Sequence, residues 1–446
     1  MSSTMTGCQM FGPDDEGYAE ASISWNAAFV HRPAFVALPT SAAELIAAVR
    51  YAAEHDLPIA VQNTGHGAEC SYDGALLINT SRMRDVRIDA DARTARVGPG
   101  VRWQELLEAA GPHGLAGLTG TCMSVGVVGY TLGGGFGWLG RQYGYSADHV
   151  RAAEVVVTDG RLLTAGPDEN AELFDALLGT AGTVGVVASL DLELFPVREV
   201  FGGGVAFPME RAREVAGAYR DWNAALPPEV TATLLLLRMP PLPTVPEPLA
   251  GKEIVAVMAC VDAIEEHATQ LLAPMRALPG AVMDTFTTLP FARVGEIMPA
   301  PSEPIPSVNF GGGIKVLTDE VIDDLVALAG AGSGCPCNMI EVRYVGGPRP
   351  TGARGGFAGY AGEYLMHALA IAPVPEALAD GKAYLKQFAA ALQPHLTDGA
   401  LPNFVGDVND RATVLRNALS AERYEQLVRA KQAFDAADRL RFAYPV

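Results

Sequence analysis

Cys122-Met123-Ser124-Val125-Gly126-Val127-Val128-Gly129-Tyr130-Thr131-Leu132-Gly133-Gly134-Gly135-Phe136-Gly137 is the stretch on which the reading of this 446-residue chain turns. A glycine costs about 1 kcal/mol in a helix interior, so the segment from Leu118 to Gly137 is not expected to be an ordinary helix. Its glycines point instead to close backbone approach to something else. The run is not the dinucleotide-binding fingerprint, because the flanking strand, the helix and the later acidic residue are missing. Nor is it a P-loop, since no Gly-Lys-Ser/Thr follows.

A second loop, Val61-Gln62-Asn63-Thr64-Gly65-His66-Gly67, follows the apolar stretch Pro58 to Gln62, which reads as a strand. Successive N–H groups in such a glycine-bearing turn form a nest for phosphate oxygens. Taken singly, each loop has a plain reading. His66 is then a bystander in a surface turn, and Cys122 a small buried apolar residue. Taken together, they are two potential nucleophiles held on bare backbone, suited to anchor one flat, reactive cofactor.

Roughly half of the chain is apolar, enough to bury full cores in two or three domains. The net charge is −19 with no Lys/Arg block, which argues against nucleic acid and anionic membranes as partners. No apolar run approaches the ~18 residues of a membrane span. Met1 to Tyr18 lacks the marks of a secretory signal, so a cytoplasmic location is expected. The six cysteines are scattered rather than framed as disulfides. Cys335-Pro336-Cys337 is too short for a CxxC pair, and His66 with Cys70 lacks two further ligands, so no metal is expected.

Helix-period and strand-period segments alternate along the chain, predicting a mixed α and β architecture. Strands are predicted at Pro33 to Leu38, Leu76 to Asn79, Val86 to Asp89 and Thr94 to Val97. A helix is predicted over Ser41 to Asp56, with Thr40 or Ser41 as N-cap, and another over Trp103 to Gly111. Asp159-Gly160 marks a hairpin between Val155 to Thr158 and Leu162 to Ala165. Asn170 to Leu178 reads as a helix and Gly185 to Phe195 as a strand. Pro196 to Gly204 reads as a boundary. Beyond it, strands (Thr231 to Arg238, Ile254 to Val261, Ile340 to Val345) alternate with helices (Glu210 to Ala224, Ala263 to Ala277, Glu320 to Ala329, Pro375 to Leu392). That pattern suggests an α+β domain on an antiparallel sheet. The last segment, from Leu401, carries one predicted helix, Ser420 to Ala436.

The order of these features resembles the FAD-linked oxidases of the vanillyl-alcohol oxidase superfamily, closest to the berberine-bridge-enzyme-like branch. The family's loops read approximately R-x-G-G-H and C-x-x-V-G-x-x-G-x-x-x-G-G-G-x-G. Here they are Asn63-Thr64-Gly65-His66 and the opening stretch. Leu139-Gly140-Arg141-Gln142-Tyr143-Gly144, Ala147-Asp148-His149-Val150, Glu172-Leu173-Phe174-Asp175-Ala176 and Gly182-Thr183-Val184-Gly185-Val186-Val187 also match. The tail Leu427-Val428-Arg429-Ala430-Lys431-Gln432-Ala433-Phe434-Asp435 is similar to the family's closing helix. The match is strong over 30–195 and weak in the middle of the chain.

The resemblance implies a two-subdomain PCMH-type FAD-binding domain over 1–200 (core about 30–197). It also implies an α+β substrate domain over 201–395, and a segment, 396–446, returning to the FAD domain. It implies FAD held bicovalently, His66 on the 8α-methyl and Cys122 on C6. Flavin contacts would come from Gln62, Asn63, Thr64, Gly65, Gly67, Thr119, Gly120, Val125, Gly126, Gly129, Gly133, Gly137, Gly185, Val187, Asn403 and Phe404. A small residue at the Val125 position is associated in the family with access of dioxygen, which favours an oxidase. The activity implied is two-electron oxidation of a C–H next to oxygen or nitrogen in a small molecule, with O2 as acceptor. A specialised-metabolite intermediate is favoured over a plain sugar. The alternatives are a flavin dehydrogenase, a sugar or oligosaccharide oxidase, and a flavin-binding protein without catalysis.

One departure bears on mechanism. Many relatives carry Tyr-x-Asn near the C-terminus, the tyrosine serving as base, where this chain has Leu401-Pro402-Asn403-Phe404. Leucine cannot accept a proton. The substitute is sought on Met339 to Gly347, where Glu341 and Arg343 share one strand face and Tyr344 takes the other. Glu341, Arg343 and Tyr344 are the catalytic candidates. Tyr130, Tyr143, His149 and Tyr360 are weaker ones. The plain reading of Glu341 and Arg343 is a structural ion pair.

Overall fold

The computed structural model describes residues 7–301, 303–347 and 362–446. Tyr360 lies outside the described residues. The chain forms three sheets. The first contains Gln9–Phe11, Phe35–Leu38, Leu76–Asn79 and Ile59–Gln62, in that spatial order. Phe35–Leu38 and Ile59–Gln62 both pair in parallel with Leu76–Asn79. The helix Ala42–Glu54 links them, burying Leu45, Ala48, Val49 and Ala52 at helical spacing. Ser41 caps it by accepting from the Glu44 N–H, and the Glu44 carboxylate accepts in return from the Thr40 N–H.

The second sheet is antiparallel, in the order Val86–Asp89, Thr94–Val97, Val186–Glu193, Val150–Val156, Leu162–Ala165. The helices Trp103–Ala110 and Ala171–Leu177 contribute to its core, as does the C-terminal helix Ala421–Phe434 through Leu427 and Ala430. In that last helix the buried Lys431 ammonium donates to the Thr183 carbonyl and to the Asp435 carboxylate.

The third sheet has eight antiparallel strands built from Glu199–Pro208, Glu253–Val261, Val230–Arg238, Met339–Tyr344, Tyr364–Ile371 and Ser307–Ile314, with Met283–Asp284 and Thr287–Pro290 at the Glu199–Pro208 edge. One face packs Val257, Leu234, Val342, Met366 and Phe310 against the helices Ala212–Asn223, Glu265–Arg276, Asp319–Ala329 and Pro375–Leu392. Side chains alternate along strands, so Leu235, Glu341, His367 and Gly311, which pair in register, lie on the opposite face.

Several elements differ from the sequence reading. The segment read as a boundary lies partly within the strand Glu199–Pro208. Glycines at 202–204 and 311–313 hid two strands, because glycine has poor strand propensity. Close packing is what requires them. A Cβ at Gly203 would meet the Phe286 backbone, and one at Gly311 would overlap the Phe404 carbonyl. The glycine run is not wholly irregular: Val127–Leu132 forms a short helix, and Gly134 and Gly135, both at positive φ, follow it. The C-terminal segment holds a second helix, Arg411–Ala418. No helix among the described residues is long and apolar enough to cross a membrane.

Candidate flavin and substrate site

The His66 loop leaves the strand Ile59–Gln62 and is clamped by the segment between the strands Gln9–Phe11 and Phe35–Leu38. Ser24 Oγ donates to the Gly65 carbonyl at 2.8 Å, and the Trp25 N–H donates to the Thr64 carbonyl at 2.9 Å. Gly65 has φ +77°, and a Cβ there would collide with Ser24, so only glycine suits the position. The Trp25 indole stacks on the His66 imidazole with centroids 4.3 Å apart. Thr64 Oγ1 lies 2.7 Å from His66 Nδ1.

The Cys122 loop meets this one. Cys122 Sγ is 3.8 Å from His66 Nε2. Ser124 Oγ sits between them, 3.1 Å from the sulfur and 3.2 Å from the nitrogen. The loops also touch where a Cβ at Gly126 would meet the Asn63 amide. Burial, followed by the Arg102 charge, pushes the His66 pKa down to about 3, so the imidazole is a neutral, nucleophilic base at physiological pH.

The other expected contacts gather around this pair unevenly. Gln62 donates to the Ile23 carbonyl and Asn63 to the Val101 carbonyl. Gly67 and Gly129 border open space, where a Cβ would meet nothing within 4 Å. Thr119 and Gly120 line the back of the glycine run, the Thr119 carbonyl against Gly137 and Gly120 against the Tyr130 ring. Val125 is half-buried beside the second-sheet core. Asn403 accepts from the Gly135 N–H, donates to the Tyr130 carbonyl and presses on Gly133. Val187 sits instead within the second sheet, and Gly185 directly precedes the same strand, against the Val155 side chain.

The third sheet closes the site from the other side. Arg343 Nη1 donates to the Phe136 carbonyl at 3.0 Å, joining the large sheet to the glycine run. Glu341 and Arg343 are both buried and form an ion pair, and Thr233 Oγ1 donates to the same carboxylate oxygen at 3.1 Å. The plain reading of these two residues, a structural pair, is therefore realised geometrically. His367, which the sequence reading missed, is the direct cross-strand neighbour of Glu341. Its pKa is lowered, chiefly by burial, while the Glu341 charge acts to raise it. The strand carrying it was not recognised, so no periodicity signalled it.

Tyr344 is not brought together with Glu341. It lies on the helix-packed face, against Tyr364 and under the Arg141 guanidinium. His149 is spent on Glu193 and the Tyr143 carbonyl, and the Tyr143 hydroxyl on Asp262. Tyr130 Oη is buried without a partner among the described residues. Leu401, at the family's tyrosine position, is wholly buried with Phe136, Tyr145, Val345 and Leu365.

Residues 33–166 match the FAD binding domain family. That span is an FAD-binding domain, and the chain is similar to FAD-linked oxidoreductases. It is 34% identical to the FAD-linked oxidoreductase hasG of Aspergillus fumigatus over 221 residues, 48% of this chain and 47% of that one. The aligned part thus spans about half the length of the curated relatives it matches. The fold is shared more widely. It superposes on 6-hydroxy-D-nicotine oxidase from Arthrobacter nicotinovorans with TM-score 0.86 at 22% identity, covering 100% of this chain and 98% of the other. Physcomitrella patens BBE-like 1 gives 0.84 at 18% identity, covering 97% and 96%. FAD, which the matched domain implies, suits the residues present. Asn63 Oδ1 and Trp25 Nε1 are buried polar atoms without partners beside His66, and the glycine edges leave room for a ring and its phosphates.

Proposed function

We propose that this protein is an FAD-dependent oxidase that takes two electrons from a C–H beside oxygen or nitrogen in a small, largely apolar molecule and passes them to dioxygen, giving hydrogen peroxide. The observation that carries this reading is the convergence of His66 and Cys122, 56 positions apart in sequence, to 3.8 Å. Such a pair would hold FAD from one edge, His66 on the 8α-methyl and Cys122 on C6. Bound FAD supplies the two-electron acceptor. The small Val125 leaves dioxygen a path.

The chain's own residues do the rest. Glu341 and His367, cross-strand neighbours, supply the base that takes the substrate proton. Arg343 and Thr233 keep the Glu341 carboxylate in place. Leu401 cannot act in this way, and its apolar packing closes that position.

The same sheet face supports this substrate class. Beside the Glu341 row lie Met339, Leu237, Leu369 and Ile254, with Met258 on the other flank. Met239, Met283 and Met298 join them, half-buried, around Leu235 and Leu249. Methionines make an adaptable apolar lining, whereas a sugar presents a hydroxyl on nearly every carbon and requires as many polar partners. An apolar body with one oxidisable polar end suits this face.

The visible spectrum of the purified protein, acid precipitation, and intact masses of wild type, His66→Ala and Cys122→Ala test the cofactor reading. An unmodified wild-type mass sinks bicovalent attachment. Anaerobic bleaching by aryl-substituted amines and alcohols, against cellobiose, xylobiose and chitobiose, tests the substrate reading. Slow reoxidation in air after bleaching indicates a dehydrogenase instead.

A further inference from the structure

Thr64, His66, Ser124 and Cys122 form an unbroken row of hydrogen-bonding atoms. Thr64 Oγ1 is 2.7 Å from His66 Nδ1, His66 Nε2 is 3.2 Å from Ser124 Oγ, and Ser124 Oγ is 3.1 Å from Cys122 Sγ. Both steps through Ser124 are shorter than the direct 3.8 Å between sulfur and nitrogen. The ring cannot easily turn away. Trp25 covers its face, and Ser24 and Trp25 hold the carbonyls on either side of Gly65's peptide unit. Burial keeps the imidazole neutral, with Arg102 the charged group acting on it, so one ring nitrogen has a free lone pair. A hydroxyl both donates and accepts, which a serine between a thiol and an imidazole can use in one step. The reacting form of a cysteine is the thiolate.

We infer that Ser124 is a proton relay between the two flavin anchors, accepting the Cys122 thiol proton as it hands its own hydroxyl proton to His66 Nε2. The inference rests on the bicovalent reading and deepens it. One proton moves from sulfur to imidazole, and the serine ends unchanged. The relay requires the His66 link to be made through Nδ1, which leaves Nε2 to hold this proton and pass it on to solvent once the sulfur–carbon bond has formed. The sulfur then forms its bond to the flavin carbon with its own electron pair. The hydrogen on that carbon departs as a proton, and the electron pair of the broken C–H bond stays with the flavin until dioxygen removes it as hydrogen peroxide. Ser124 touches both reacting atoms and no other role for its hydroxyl is evident among the described residues.

The test compares wild type, Ser124→Ala and Ser124→Thr by intact mass and by mapping flavin on the His66 and Cys122 peptides. Incompletely linked protein is then incubated with FAD in air between pH 6.5 and 9. Wild type and Ser124→Thr should carry both links. Ser124→Ala should keep the His66 link but form the Cys122 link about a hundredfold more slowly at neutral pH. That deficit should close as the pH rises, because hydroxide then takes the thiol proton directly. If Ser124→Ala does not fold, Ser124→Gly supplies the arm without a hydroxyl. A hydroxyl-free variant that links Cys122 at the wild-type rate overturns the relay. So does a deficit that Thr does not rescue or that pH does not change. A wild type whose Cys122 peptide never carries flavin overturns the bicovalent reading itself, and the relay with it.

Discussion

Asn403 Oδ1 accepts a hydrogen bond from the Gly135 N–H at 2.6 Å across 268 positions of sequence, while its Nδ2 donates to the Tyr130 carbonyl at 2.9 Å. One amide thus fastens the C-terminal segment to both sides of the glycine run. Removing it strands a partly buried N–H and a carbonyl. Asn403→Ala should cost about 1–3 kcal/mol, and Asn403→Asp should also lose stability because a carboxylate oxygen would face the Tyr130 carbonyl. Urea unfolding checks both, with flavin content measured alongside. Stability unchanged in the alanine variant would show that this tie contributes nothing.

The glycines of the run do different things, and alanine separates them. A Cβ at Gly137 overlaps the Thr119 carbonyl, which is backbone and cannot turn aside. Gly137→Ala should therefore lower stability by at least the roughly 1–3 kcal/mol typical of overpacking. Gly129→Ala meets nothing within 4 Å beyond its own helix and should fold normally. Melting temperatures of the two proteins give the comparison, and equal values would contradict the assignment.

Glu341 and Arg343 are both nearly inaccessible, so neutralising one leaves the other's charge buried. Glu341→Gln should cost about 3–5 kcal/mol and reduce turnover about 10²–10⁴-fold. The double replacement Glu341→Leu with Arg343→Leu should recover much of the stability and none of the activity. If stability and activity recover together, Glu341 is structural only, and His367→Gln then becomes the decisive variant for the base.

His66 also sets an acid dependence in protein that has not taken up flavin. Its pKa falls from an ordinary 6.5 to about 3 on folding. Between those values the unfolded chain binds the proton and the folded one does not. Stability is therefore undiminished above pH 6.5 and falls as the pH drops toward 3. At pH 5 the contribution is about 2 kcal/mol. Denaturant titrations of wild type and His66→Gln at pH 7 and pH 5 isolate it: the wild type should lose that much more than the variant. Parallel losses would mean that the imidazole is protonated in the folded protein.

Much of the first half of the fold was legible in the sequence. The strands Leu76–Asn79, Val86–Asp89 and Thr94–Val97 run as predicted, and Ser41 caps its helix. These segments have strong alternation or helical spacing, so local pattern and tertiary fold agree. The glycine-rich strands were not legible. Gly202–Gly204 and Gly311–Gly313 have no side chains to show a period, and the partners that require glycine there, Ile297, Phe286, Met258 and the Phe404 carbonyl, are remote in sequence. His367 was missed for a related reason: its strand is Met-, Leu- and Ala-rich and equally compatible with a helix.

By itself the sequence determined that two nucleophiles stand on glycine-bearing loops, that Leu401 cannot be a base, and which family these motifs match. Those are properties of residue type and spacing. Only the tertiary structure decided that His66 and Cys122 meet, that Ser124 stands between them, and that Glu341 faces His367 while Tyr344 faces the helices. Each of these depends on register and closure between segments tens to hundreds of residues apart. Local propensity carries no information about such distances, because burial and cross-strand pairing set them only when the whole chain packs.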